Sequence, residues 1–104
     1  MQIQINFGDV DSSPSLEKAV HDQVEKHLHY VQDHVTRMEV HLKDENAGKS
    51  GAHDKHVTME ARIANAAPIA VSATGEDMYA VIADTAGKIG RAVKTKLDKD
   101  HARG

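Results

Sequence analysis

The spacing of apolar residues in this chain switches between two periods, and the order of the switches leaves few folds open. Ile3, Ile5 and Phe7 alternate with Gln2, Gln4 and Asn6, which is the period of a half-buried strand. Gly8 to Ser13 is rich in turn formers, and Ser13 followed by Pro14 is a helix start, a hydroxyl cap before a residue that needs no N–H partner. Leu16, Val20, Val24, His27, Leu28 and Val31 then recur at helical spacing. Alternation returns at 37–43, with Met38, Val40 and Leu42 on one side and Arg37, Glu39, His41 and Lys43 on the other. A loop from Asp44 to Lys55 follows, then Val57, Met59, Ala61 and Ile63 alternate. After a turn at Asn65 to Pro68, Ile69, Val71 and Ala73 do the same. From Glu76 to Leu97 the period is helical again, and Tyr79, Ile82, Ala86, Ile89, Val93 and Leu97 fall within an arc of about 80°. Glu76 and Asp77 are expected in the first turn of that helix, where its dipole favours carboxylates.

The order is therefore β-α-β-β-β-α, an α+β domain. The first crossover makes strands 1 and 2 parallel and right-handed, and the last three strands form a meander. Each strand has one polar face, so both helices should cover one face of a four-stranded sheet. The chain has 104 residues, enough for one domain. Its one Phe, two Tyr and absent Trp leave Val, Ile, Leu and Met to build the core. Ile3, Ile5, Val40, Leu42, Val57, Ile63, Val71, Ile82, Ile89 and Val93 are expected to be buried. With no cysteine, disulfides, thiolate nucleophiles and Cys-ligated metals are excluded. No apolar run is long enough to span a bilayer and no secretory signal is visible, so the default is a cytoplasmic domain without a membrane partner.

Charge is split along the chain. Residues 1–84 hold seven cations and 14 carboxylates, net −7. Residues 85–104 hold Lys88, Arg91, Lys94, Lys96, Lys99 and Arg103 against Asp98 and Asp100, net +4. Such a segment is either a solvated helix face or a local contact for a polyanion.

Other motifs carry less. Gly87-Lys88-Ile89-Gly90 matches the GxxG loop of KH domains, but it falls inside the amphipathic helix and only 14 residues follow it. The plainer reading is two small residues tolerated in a helix. Of eight histidines, His53 and His56 are close enough in the long loop to share a divalent metal, but no third ligand is specified. No metal site, cofactor or small-molecule substrate is expected. No carboxylate pair, nucleophile elbow or phosphate-cradling loop supports an enzyme. With Phe7 on the core side, the sheet lacks the exposed aromatics of base-stacking RNA modules, so RNA contact would run through shape and phosphates.

The stretch from Ala70 to Asp84, with Glu76-Asp77-Met78-Tyr79 opening a basic helix after a strand that ends in small residues, resembles the ribosome hibernation-promoting factor family, which includes the ribosome-associated translation inhibitors. The Gln2-Ile3-Gln4-Ile5 strand, Leu16, Lys26 and Tyr30 agree, and the resemblance covers residues 1–100, leaving 101–104 as a tail. It implies a layout similar to double-stranded RNA-binding domains. It further implies binding to the small ribosomal subunit, in the channel where mRNA and the A- and P-site tRNAs sit, and silencing of ribosomes under stress or in stationary phase. Because the chain ends at Gly104, it looks like the short form of the family, without the further domain that joins two ribosomes.

Under this reading ribosomal RNA phosphates are met by Lys88, Arg91, Lys94, Lys96 and Lys99, with Lys18, Lys26 and Arg37 secondary. None of the basic positions of the second helix is expected on its apolar arc. Helix 1 departs from the family pattern: Lys18 and Lys26 stand among Glu17, Asp22, Glu25 and Asp33, with His21, His29 and His34 at outward or end positions. Asp77 is expected at the helix start and Tyr79 in the core with its phenol at the rim. The competing readings are a generic double-stranded RNA-binding module and a His-rich metal-binding regulator.

Overall fold

The strand order of the sheet follows the chain. The structure, a computed structural model, describes residues 1–45 and 54–102. Strand β1 (Gln2–Asn6) is followed by helix α1 (Pro14–Leu28), β2 (Val35–Asp44), β3 (Lys55–Ile63), β4 (Ile69–Gly75) and helix α2 (Met78–Ala102). The sheet order is β1-β2-β3-β4, with β1 parallel to β2 and the later pairs antiparallel. This is the α+β layout that the periodicities imply. The register aligns the inward residues in rows across the sheet: Ile5 opposite Val40, Val40 opposite Met59, and Met59 opposite Val71.

Helix α1 starts where the hydroxyl cap predicts, with Ser13 Oγ accepting from the Leu16 N–H at 3.1 Å and Pro14 in the first turn. It ends at Leu28, three residues short of the apolar repeat. A single 3₁₀ turn, His29–Val31, carries Val31 into the core instead.

One cluster joins Leu16, Val20, Val24 and Leu28 of α1, the inward residues of β2 and β3, and Met78, Val81, Ile82, Ala86, Ile89 and Val93 of α2. Seven of the ten residues expected in the core are buried there. Ile3, Ile5 and Val71 are only half-buried and pack against its margin. They stand on the two edge strands, where a residue has a neighbouring strand on one side only. Helix α2 lies over β3 and β4, and α1 packs beside α2.

That helix pair explains one of the two glycines of α2. A Cβ on Gly90 would sit 2.7 Å from the His27 carbonyl oxygen and 3.1 Å from its Cβ, so glycine is what lets the two backbones approach. A Cβ on Gly87 would meet only the tip of Arg91 at 3.3 Å and the His27 ring at 3.7 Å. Gly90 is therefore required rather than tolerated, Gly87 is merely tolerated, and the two form no KH-type loop, since both lie inside α2. Opposite signs are expected. Gly87→Ala should stabilise by up to about 1 kcal/mol through helix propensity, since a flexible side chain can give way. Gly90→Ala should destabilise by about 1–3 kcal/mol, since backbone must move. Urea unfolding of the two variants checks this, and destabilisation by both in equal measure would contradict it.

Candidate nucleic-acid interface

Helix α2 carries the basic segment, and its start sets which way the cations point. Asp77 precedes the helix, and its Oδ1 accepts the Tyr79 N–H at 3.1 Å, so it is a cap residue. Glu76 and Asp77 thus lie outside the first turn rather than in it, and Met78 begins the helix. Met78 is buried, whereas Tyr79 is 48% exposed and lies outside the core where it was expected. The buried stripe runs through Met78, Val81, Ile82, Thr85, Ala86, Ile89 and Val93, at helical spacing set from Met78. Thr85 joins it at no polar cost, because its hydroxyl donates to the Val81 carbonyl at 2.6 Å.

Lys88, Arg91, Lys94 and Lys99 are exposed, the last of them in line with Val81 but five turns further along the helix. At 3.6 residues per turn these four side chains leave the axis within about 140°. Lys88 is steadied by donating to the Ser72 carbonyl of β4 at 3.2 Å. Lys96 differs. It falls seven residues after Ile89, almost two full turns, which brings it back to the buried side, and it is half-buried. The expectation that all these cations avoid the apolar arc fails at this residue. The opposite end of the helix is acidic: Glu76, Asp77 and Asp84 border a cleft with Thr74, Gly75, Ala80 and Val81. Charge thus runs from negative to positive along α2, in the sense its dipole favours.

The secondary residues do not converge on this face equally. Lys18 and Lys26 stand exposed on α1, the helix beside α2. Lys18 is paired with Asp22 at 2.6 Å, and that bond holds its ammonium above the usual lysine range. His21, His29 and His34 are exposed, while His27 is half-buried against α2. Arg37 is separate. It alternates with the inward Met38, so it stands on the sheet face that no helix covers. There its guanidinium meets Glu39 at 3.0 Å, and Glu39 also receives Arg62 Nε at 2.9 Å. The hydrogen bond from Arg62, with that from Arg37, holds the Glu39 carboxyl below the usual carboxylate range. Arg62 reaches Glu60 as well, at 2.9 Å. The open sheet face is thus a lattice of paired charges rather than a basic surface.

His56 lies within β3, not in the loop, and its Nε2 is 3.2 Å from Glu45. His53 lies outside the described residues. Among the described residues no three His, Asp or Glu side chains converge to hold a metal ion. The two tyrosines stand at the surface, Tyr30 at 59% exposure and Tyr79 at 48%. Neither is on the sheet. Tyr30 lies in the 3₁₀ turn, where the residue before the buried Val31 must point outward.

A four-stranded mixed sheet backed by two helices, one basic on its outer face, is an α+β layout, and sequence comparison supplies the family. Residues 3–101 match the family model described as sigma 54 modulation protein / S30EA ribosomal protein, so the chain belongs to that family, the hibernation-promoting factors. A ribosomal subunit interface protein from Coxiella burnetii has a similar structure, with TM-score 0.71 at 23% identity, covering 98% of this chain and 99% of that one. The N-terminal domain of Protein Y from Thermus thermophilus is similar as well, with TM-score 0.72 at 19% identity, covering 91% and 98%. At these identities the likeness establishes the fold. No curated protein matches the chain in sequence. No helix among the described residues is long and apolar enough to cross a membrane.

Proposed function

We propose that this protein is a hibernation factor that binds the small ribosomal subunit in the mRNA and tRNA channel and blocks translation by occupancy, under stress or in stationary phase. The observation that carries this reading is the outer face of α2, where Lys88, Arg91, Lys94 and Lys99 stand together in a family of ribosome-associated proteins. A rigid helix with cations on one side neutralises phosphates that tRNA and mRNA would otherwise meet, and it needs no catalytic step. The two similar solved structures, one of them a ribosomal subunit interface protein, support a site between subunits. Lys26 and Lys18 extend the surface onto α1, and the Asp22 pairing makes Lys18 the weaker of the two. Arg37 contributes least, being paired with Glu39 on the far face. A site on the ribosome places the protein in the cytoplasm.

Cosedimentation with small subunits in the presence of excess blunt RNA duplex tests this reading against a generic duplex binder. The protein should remain on the subunit, and saturating protein should displace initiator tRNA. Stripping by duplex, or undiminished tRNA binding, would overturn it.

A further inference from the structure

A groove opens where the end of α1 meets the C-terminal half of α2. Tyr30, Val31, His34, Lys94, Leu97 and Asp98 line a space of about 180 Å³. Its floor is apolar, since Val31 is buried and Leu97 packs against the core. One wall is the Tyr30 ring, among the most exposed large hydrophobic side chains in the described residues at 59%. The wall is held in place. The His34 N–H donates to the Val31 carbonyl at 2.9 Å, and the Ala64 N–H donates to the His34 carbonyl at 3.3 Å. The His29 N–H donates to the Glu25 carbonyl of α1, so the turn carrying Tyr30 is tied to α1 on one side and to the residue after β3 on the other. Lys94 brings an exposed ammonium to the rim from the outer face of α2. Asp98, one helical turn on, also borders the groove and limits how much anionic charge it accepts.

We infer that this groove is a subsite for one unpaired nucleotide, its base stacked on Tyr30 over Val31 and Leu97 and its phosphate held by Lys94. An aromatic face beside a single cation is the arrangement that receives a splayed-out base, whereas helix phosphates in a duplex need cations alone. The apolar floor distinguishes it from the rest of the α2 surface, where the exposed Tyr79 stands at the acidic start of the helix, far from Lys94. One carboxylate and one ammonium suit a single phosphodiester rather than a free triphosphate. The inference rests on the reading of the protein as an RNA-binding factor and adds to it the recognition of an extruded base at one place. His34 stands at the rim as a hydrogen-bonding group.

The chain has two tyrosines and no tryptophan, so tyrosine fluorescence reports the groove directly once Tyr79 is removed. Tyr79→Phe protein is titrated with adenosine 5′-monophosphate, ribose 5-phosphate, penta-adenylate and a blunt RNA duplex. Adenosine 5′-monophosphate and penta-adenylate should quench Tyr30, the pentamer at lower concentration because an oligonucleotide is the natural source of the unit. Ribose 5-phosphate should not quench. Tyr30→Leu, which keeps an apolar side chain, should weaken penta-adenylate binding roughly tenfold as measured by anisotropy, the loss expected for one stacked base. On ribosomes the same substitution should lower affinity without changing the salt slope, because no phosphate contact is lost. Equal quenching by duplex and pentamer, or unchanged pentamer binding in Tyr30→Leu, would overturn the subsite. Neither result would touch the ribosome-binding reading, which is judged by cosedimentation.

Discussion

Protein in which Lys88, Arg91, Lys94 and Lys99 are all replaced by Gln is expected to fold normally and to lose binding to ribosomes. All four side chains are exposed on the outer face of α2, so none supports the core. The bond from Lys88 to the Ser72 carbonyl is at the surface, and its loss costs about 1 kcal/mol or less. If each cation meets one phosphate, binding releases counterions, and log K against log salt should slope by roughly −3 for the parent. The quadruple variant should give a nearly flat line. Single replacements should each reduce the slope by less than about one unit, with no dependence on RNA sequence, since phosphate contacts carry no base information. Lys96 is left in place because it is half-buried on the core side of the helix. Ribosome cosedimentation from 50 to 300 mM salt, with circular dichroism as the folding control, measures the outcome. Normal binding by the quadruple variant would end the occupancy mechanism.

Ile89→Asp is expected to unfold the domain. Ile89 is fully buried in the α2 stripe, beside Gly90, where the α1 backbone lies close against α2. A carboxylate there would be unpaired among apolar groups, at a cost of several kcal/mol. Total stability for a domain of this kind is about 5–15 kcal/mol, so one such change can exhaust it. Ile89→Val, which removes one methylene, should cost only about 0.5–1.5 kcal/mol and keep a cooperative transition. Thermal melts followed by circular dichroism separate the two. A cooperative melt of Ile89→Asp near that of the parent would show that this side of α2 does not form the core.

Much of the fold was legible because periodicity reports burial directly. Ser13-Pro14 marks a helix start by local chemistry that needs no tertiary partner, and the cap forms as expected. The alternation at Met38, Val40 and Leu42 likewise names one face of β2, and all three are buried. Where two readings of phase compete, sequence reasoning loses its grip. Tyr79 and Met78 are one residue apart, and both are hydrophobic enough to begin the stripe of α2. Only the seating of the helix on β3 and β4 puts Met78 inside and Tyr79 out. Lys96 is half-buried for the same reason, since its distance from Ile89 returns it to the stripe. Ile3, Ile5 and Val71 show the complement: their pattern is that of a core face, but pattern does not say which strands lie at the edges.

The candidate site divides along the same line. The concentration of cations after Thr85 is a property of composition, and the structure adds that four of them share a face. That Arg37 belongs to a different surface depends on its partner Glu39 and on Arg62 from the neighbouring strand, which only strand register brings together. The groove at Tyr30 joins residues more than sixty positions apart, and no local pattern foreshadows it. Sequence by itself determined the order and type of the elements and the polarity of α2, because these follow from neighbours along the chain. The tertiary structure alone decided the rotation of α2, the need for glycine at position 90 and the meeting of Tyr30 with Lys94, because each depends on how closely two elements approach and at what angle.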